Sequence, residues 1–224
     1  MELKDKIVVI TGGTKGLGKA MALCFVKNGS KVVVCSREDN RPEDLDENIF
    51  WIKADVTKED ELQKLLDFVV EKFGKLDIWI NNAGIWLPHM PIEKMDWKRA
   101  HNLIEINLFG TVYGSKVALA QMRKQNSGLI LNIISTSGLD GKINETAYCA
   151  SKFAANGFTK SLKKEVDGKN IKIFTVYPGG MQTNLFDEKK PENYGDFMDP
   201  NEVAEKIVEN LKKDIPEEEL IIKR

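Results

Sequence analysis

Residues 6–18 read KIVVITGGTKGLG, and this stretch decides the fold. Lys6 to Ile10 is a short β-branched run of strand type, and Leu17 to Lys27 follows as a helix, with a glycine-rich turn between them. Such a turn has two readings. It is a tight strand-to-helix connection needing only backbone freedom, or a cradle that brings main-chain N–H groups and a helix N-terminus up to a pyrophosphate. The glycine spacing differs from G-x-G-x-x-G, so the loop alone leaves both readings open.

Outward from this stretch the same rhythm continues. Lys31 to Cys35, Ile49 to Lys53 and Leu76 to Ile80 are near-continuous apolar runs, as parallel strands covered on both faces must be. Glu59 to Phe73 carries Leu62, Leu65, Leu66, Val69 and Val70 at helical spacing and stops at Gly74. Further helices are predicted at Trp97 to Lys124 and Thr146 to Val166, with strands at Gly128 to Ile134 and Ile171 to Tyr177. The tail offers a helix from Pro200 to Lys212, capped by Asp199, and a strand at Leu220 to Ile222. The pattern predicts one domain over residues 1–224. It is an α/β, Rossmann-type doubly wound fold with a mostly parallel sheet of about seven strands and helices on both faces. Right-handed crossovers put the ligand crevice at the strand C-termini, after Ile10, Cys35, Ile80, Ile134 and Tyr177.

Composition narrows the function by exclusion. Lys and Arg number 33 against 34 Asp and Glu, so no global basic field draws nucleic acid or an anionic membrane. Cys24, Cys35 and Cys149 are odd in number and widely spaced, which fits reduced thiols and a cytoplasmic setting. No signal-peptide pattern or membrane-length apolar run occurs. His89, read as loop or pocket rim, and His101, read as a helix residue, lack partners at metal spacing, and no metal is expected. Neither G-x-S-x-G nor a P-loop G-K-[ST] is present.

Thr11, Gly12, Gly16 and Gly18 form T-G-x-x-x-G-x-G. Asp55-Val56, Asn81-Asn82-Ala83-Gly84, Asn107, Ser135, Tyr148 with Lys152, and Pro178-Gly179 with Thr183 follow in order. This set resembles the short-chain dehydrogenase/reductase family from residue 6 to about 185. The resemblance implies a nicotinamide dinucleotide on the loop of Gly12, Thr14, Lys15, Gly16, Leu17 and Gly18. Asp55 and the Val56 amide would meet the adenine, Asn82 with Ala83 and Gly84 would line the ribose region, and Pro178, Gly179, Met181 and Thr183 would stand near the carboxamide. Asp55 serves equally as a turn former and Asn-Asn-Ala-Gly as a tight turn. Arg37 to Asn48 is short for the second crossover helix usual in the family.

The residue after the second strand reads the ribose, because a carboxylate there binds both hydroxyls but repels a 2′-phosphate. Ser36 holds that place, with Arg37 beside it and Lys15 in the glycine loop. Two cations favour NADP(H) over NAD(H), while Glu38 and Asp39 weigh against that preference.

Tyr148 and Lys152 stand four apart on one helix face, within mutual reach. An unperturbed tyrosine has a pKa of about 10, and a nearby ammonium lowers it toward neutral pH. By the resemblance Tyr148 is the general acid/base, Ser135 positions the substrate oxygen, and Asn107 is the water-binding end of a proton relay through Lys152. Ser137 rivals Ser135; the S-x-x-G spacing to Gly138 selects Ser135. Asn107 is also a poor helix former amid Leu103, Ile104, Ile106, Leu108 and Phe109.

The expected activity is reversible hydride transfer between NADP(H) and a small carbonyl or alcohol. The alternative is a non-catalytic NADP(H)-sensing regulatory protein of the same fold. Specificity is assigned to loops Ile85 to Pro91, Leu139 to Asn144 and about 180–199, whose apolar residues serve a pocket, a lid or a dimer interface. A homodimer or homotetramer is expected, without nucleic-acid or membrane partners.

Overall fold

β1 (Ile7–Thr11) is buried along its whole length, and the rest of the sheet is built outward from it. The computed structural model describes residues 1–224. β2 (Lys31–Ser36), β3 (Ile49–Lys53), β4 (Ile78–Asn81), β5 (Gly128–Ile133), β6 (Ile171–Pro178) and β7 (Glu219–Ile222) complete a sheet of order β3-β2-β1-β4-β5-β6-β7. Every neighbouring pair is parallel. The chain leaves β1 toward β2 on one side and resumes at β4 on the other, so a crevice opens between the C-terminal ends of β1 and β4.

Alternation along each strand feeds two apolar layers. Val8, Ile10, Val32, Val34, Ile80 and Leu131 pack against α1 (Gly16–Lys27) and α6 (Pro200–Lys212). Val9, Val33, Trp79 and Ile130 face α2 (Glu59–Phe73) and the later helices α4 (Gly110–Gln125) and α5 (Thr146–Glu165). Asp199 caps α6 through the Asn201 N–H, with Pro200 at its first position, and α2 ends on left-handed Gly74, as the sequence predicts.

One predicted helix is interrupted, and the short Arg37 to Asn48 segment forms none, in keeping with its length. The helix predicted from Trp97 to Lys124 is α3 (Trp97–Ile104), a wide π turn over Glu105–Phe109, and then α4, because the extra residue per turn carries Asn107 into the interior. Between β2 and β3 no helix forms. Arg41 braces that connection, donating to the carbonyls of Ile49 at 2.6 Å, Leu45 at 2.9 Å and Asp46 at 2.7 Å, while Leu45 inserts into the core.

A polar network crosses the apolar layer beneath the crevice. Asn81 and Asn132 are register partners on β4 and β5. Asn81 accepts from Trp79 Nε1 at 2.8 Å and donates to Asn132 at 2.8 Å and Ser115 at 3.0 Å; Asn132 donates to Thr159 at 2.9 Å. All five side chains are buried and paired, as buried polar groups must be to avoid a desolvation cost. No helix is long and apolar enough to cross a membrane.

Candidate active site

The glycine loop lies at the crevice. A Cβ on Gly18 would stand 2.2 Å from the Gly12 carbonyl oxygen and 2.6 Å from Asn82 Nδ2, so only glycine lets α1 start this close to the loop. Thr11 Oγ1 accepts from the N–H groups of Asn82 at 3.0 Å and Ala83 at 3.1 Å. The Asn82 amide donates in turn to the carbonyls of Thr11 at 3.0 Å and Gly12 at 3.1 Å. Asn82 thus clamps the glycine loop through its side-chain amide. No side chain caps the N-terminus of α1 at Lys15, so its first N–H groups remain available to an anion.

At the far end of the crevice Ser36 Oγ accepts from Trp51 Nε1 at 2.8 Å. Arg37 is exposed and has no ion-pair partner, whereas Lys15 pairs with Glu38 at 3.0 Å. The Ser36 hydroxyl holds the Glu38 carboxyl below its usual range, with burial opposing and Lys15 assisting. Glu38 Oε2 is buried without a hydrogen-bond partner. The orphaned carboxylate oxygen suits a ribose hydroxyl, while the two cations and the uncapped helix suit phosphate groups, so these residues fit a dinucleotide. Asp55 spends Oδ1 on a turn, accepting from the Thr57 N–H and hydroxyl at 2.9 Å each, and its second oxygen makes no protein hydrogen bond.

α5 brings Tyr148 and Lys152 to the crevice, with Lys152 Nζ 5.8 Å from the Tyr148 ring centre. Lys152 is buried, and its ammonium donates to the Ile133 carbonyl at 3.3 Å. Burial pushes its pKa down to about 8. Burial also pushes the Tyr148 hydroxyl well above its ordinary value; a hydrogen bond from Ser135 pulls it back, while Glu145 and Cys149 raise it. Desolvation therefore outweighs the attraction of the ammonium expected from the spacing, and the Tyr148 hydroxyl is neutral in the free chain.

Ser135 is the serine whose hydroxyl lies near enough to Tyr148 to favour its ionised form. It sits at φ 153°, a conformation that L residues seldom adopt and that its surroundings must hold. Its Oγ accepts from the Ser137 N–H at 3.1 Å. Gly138 completes this turn because a Cβ there would stand 2.9 Å from the Lys152 carbonyl oxygen.

Asn107 meets the loop after β4. Its Oδ1 accepts from the Ile85 N–H at 2.8 Å, and its Nδ2 donates to the Ile85 carbonyl at 2.9 Å and to Ser151 Oγ at 3.1 Å. The side chain is fully engaged, and its carbonyl accepts from Thr111 Oγ1 at 3.0 Å. A methyl at Gly84 would stand 3.3 Å from Asn107 Oδ1 and 3.7 Å from Lys152 Nζ, so these three residues converge. Asn107→Ala orphans both polar groups of the Ile85 peptide. It is expected to cost about 2–6 kcal/mol of stability at roughly 1–3 kcal/mol per unsatisfied buried group, read as a lowered urea midpoint; an unchanged midpoint would contradict this bracing role.

The outer wall is aromatic. Phe186, buried in the 180–199 segment, packs its ring 5.0 Å from Trp86 and 5.3 Å from Phe197. The segment closes at its base through Gln182 N–H to the Met198 carbonyl and Met198 N–H to the Gly180 carbonyl. Pro178 ends β6, Gly179 donates to the Ile222 carbonyl, and Thr183 Oγ1 accepts from the Leu185 N–H, beside Gly16. Two residues absent from the expected site also line this region. Ser151 links Asn107 to the Tyr148 carbonyl, and Glu145 contacts His89 and Ser137. Their positions three before and three after Tyr148 were the available signal, since that spacing puts them on its helix face.

A doubly wound parallel sheet with a glycine-lined loop at its switch point, facing a Tyr/Lys pair and a strained serine, defines a nucleotide-binding oxidoreductase of the Rossmann class. More particularly, the model of the short chain dehydrogenase family matches residues 6–193, and the chain belongs to that family. It is 33% identical to an uncharacterized oxidoreductase of Staphylococcus saprophyticus, covering 96% of this chain and 93% of the relative. It is also 33% identical to a 3-oxoacyl-[acyl-carrier-protein] reductase of Thermotoga maritima, covering 93% and 91%. An alcohol dehydrogenase of the archaeon Thermococcus sibiricus, complexed with 5-hydroxy-NADP, superposes with a TM-score of 0.88 at 26% identity, covering 98% of this chain and 96% of that one.

Proposed function

We propose that residues 1–224 form one catalytic domain that interconverts a small carbonyl and its alcohol with NADP(H), Tyr148 being the general acid in reduction and the general base in oxidation. The observation that carries this reading is the convergence of Tyr148 with the buried Lys152, whose Nζ stands 5.8 Å from the tyrosine ring centre, and with the buried, strained Ser135. When bound, the nicotinamide exchanges the hydride with the reacting carbon. The chain's residues manage the oxygen. Ser135 donates a hydrogen bond that fixes the carbonyl oxygen and polarises it. Tyr148, kept neutral by burial, delivers its proton to that oxygen as the alcohol forms. Lys152 lies close enough to stabilise the phenolate left behind. Asn107 and Ser151 hold the floor on which this exchange occurs.

The preference for a phosphorylated cofactor rests on Arg37, the cation without a carboxylate partner beside Ser36, and is supported by the 5-hydroxy-NADP complex of the Thermococcus sibiricus relative. Glu38 works against it by engaging Lys15. Arg37→Ala is expected to raise the KM for NADPH about tenfold or more, the worth of one charge-assisted hydrogen bond, with little effect on NADH. Glu38→Gln is expected to shift selectivity the other way, lowering the KM for NADPH and raising that for NADH. Steady-state assays with both cofactors decide. Equal use of NADH and NADPH by the unaltered protein, or an Arg37→Ala variant with unchanged NADPH affinity, overturns the assignment.

A further inference from the structure

Beside the reacting pair stands a carboxylate that the proton transfer does not use. Glu145 directly precedes α5 and is nearly buried, its side chain 11% exposed. Its Oε1 lies 2.7 Å from His89 Nε2 on the loop after β4, and its Oε2 has only a long 3.4 Å contact from Ser137 Oγ. Met90 N–H donates to the Asn144 carbonyl at 3.1 Å, so the two loops meet here as a fixed wall rather than as free strands of chain. The rest of that wall is apolar, with Trp86 stacked edge-to-face on His89 at 5.2 Å and on Phe186.

A carboxylate oxygen with spare acceptor capacity in an apolar wall is costly unless something donates to it. The Ser137 N–H is already given to Ser135, and the single long hydroxyl contact leaves Oε2 under-satisfied. Glu145 stands three residues before Tyr148 and touches Ser137, two residues beyond Ser135, on the wall formed with His89 and Trp86, so it lies beside the reacting groups.

We propose that Glu145, oriented by His89, is the specificity-determining residue of the pocket and accepts a hydrogen bond from a hydroxyl group carried one or two carbons from the carbonyl being reduced. The substrate class is therefore hydroxycarbonyl compounds, and the carboxylate selects against plain ketones by leaving itself unpaired with them. This inference rests on the reductase reading above and sharpens it.

The test is reduction kinetics with matched probes: 2-butanone, 3-hydroxy-2-butanone and 4-hydroxy-2-butanone, within a wider panel of simple aldehydes and ketones. The unaltered enzyme is expected to favour a hydroxylated probe over 2-butanone by about 10- to 100-fold in kcat/KM, as a hydrogen bond to a charged acceptor provides, chiefly through KM. Glu145→Ala should lose at least about tenfold more on the hydroxylated probe than on 2-butanone. Glu145→Asp should restore part of the preference, and His89→Gln, which keeps a donor for the carboxylate, should retain most of it. A merely structural clasp between the loops predicts instead that Glu145→Ala and His89→Gln lower all probes alike. That result, or an enzyme that reduces 2-butanone as well as its hydroxylated partners, overturns the role of Glu145 and leaves the reductase reading intact. Absence of cofactor oxidation with every carbonyl in the panel overturns both.

Discussion

Tyr148→Phe is expected to lower kcat for carbonyl reduction by about 10²–10⁴-fold, the range contributed by a positioned proton donor. The substitution removes one oxygen and keeps the ring, so packing around α5 stays intact and cofactor affinity is expected to change by less than about threefold, well under 1 kcal/mol. Those two measurements belong together: single-turnover reduction for the chemistry, and quenching of protein fluorescence by NADPH for binding. A folded variant that binds cofactor and retains more than a tenth of the activity removes Tyr148 from the role. The pH profile adds a sign. Burial holds Tyr148 in its protonated form through neutral pH and holds Lys152 near 8. Reduction is therefore expected to be level from about pH 6 and to fall as pH rises through about 8, where the ammonium that stabilises the departing phenolate is lost.

Gly18→Ala is the second large effect. Its added methyl meets the Gly12 carbonyl at 2.2 Å and the Asn82 amide at 2.6 Å, and both belong to the backbone clamp of the glycine loop. The Gly12 carbonyl is backbone and cannot swing aside as a side chain would, so the loop must move away from α1. The expected result is a loss of roughly 1–3 kcal/mol in stability from overpacking, together with at least a 100-fold loss of dinucleotide affinity, because the N–H groups no longer converge. Gly157→Ala is the matched control. Nothing lies within 4 Å of a Cβ there, in the interior of α5, so that variant is expected to gain about 0.5–1 kcal/mol. Thermal melts and cofactor titration of both variants separate a local clash from a general intolerance of alanine.

Strand and helix placement was legible because apolar periodicity is a local property: Ile49–Lys53, Glu59–Phe73 and Pro200–Lys212 stand where the pattern puts them. The π turn was not, since it arises from Asn107 bonding to Ile85 across the crevice, and nothing in the flanking residues announces it. At the site, spacing along α5 brought Tyr148 and Lys152 together. Charge partners were harder to see, because they depend on loops. Lys15 and Arg37 look equivalent in the sequence, yet the loop after β2 turns Glu38 onto Lys15 and leaves Arg37 free. Asn82 reads as a ribose neighbour by position, and the hold of its amide on the glycine loop is a further role that position does not reveal. The spacing of Glu145 from Tyr148 was visible, but its pairing with His89 was not, that partner lying on another loop.

The Asn81–Asn132 pair has a consequence for how the molecule assembles. Val, Ile and Leu runs such as those of β4 and β5 tolerate sliding past one another, because one branched side chain fills another's place. A slip of one residue, however, turns Asn132 to the opposite face. It would take from Asn81 the acceptor of one amide hydrogen and from Thr159 the donor to its hydroxyl oxygen, in a layer that is otherwise apolar. Misaligned chains are thereby penalised even where their apolar burial is nearly complete. Asn82 follows Asn81 directly and Ser135 comes three residues after Asn132, so alignment of the strands and spacing of the reacting groups are one event. Molecules that pass the first test have already passed the second, and a population sorted by stability is sorted for competence as well.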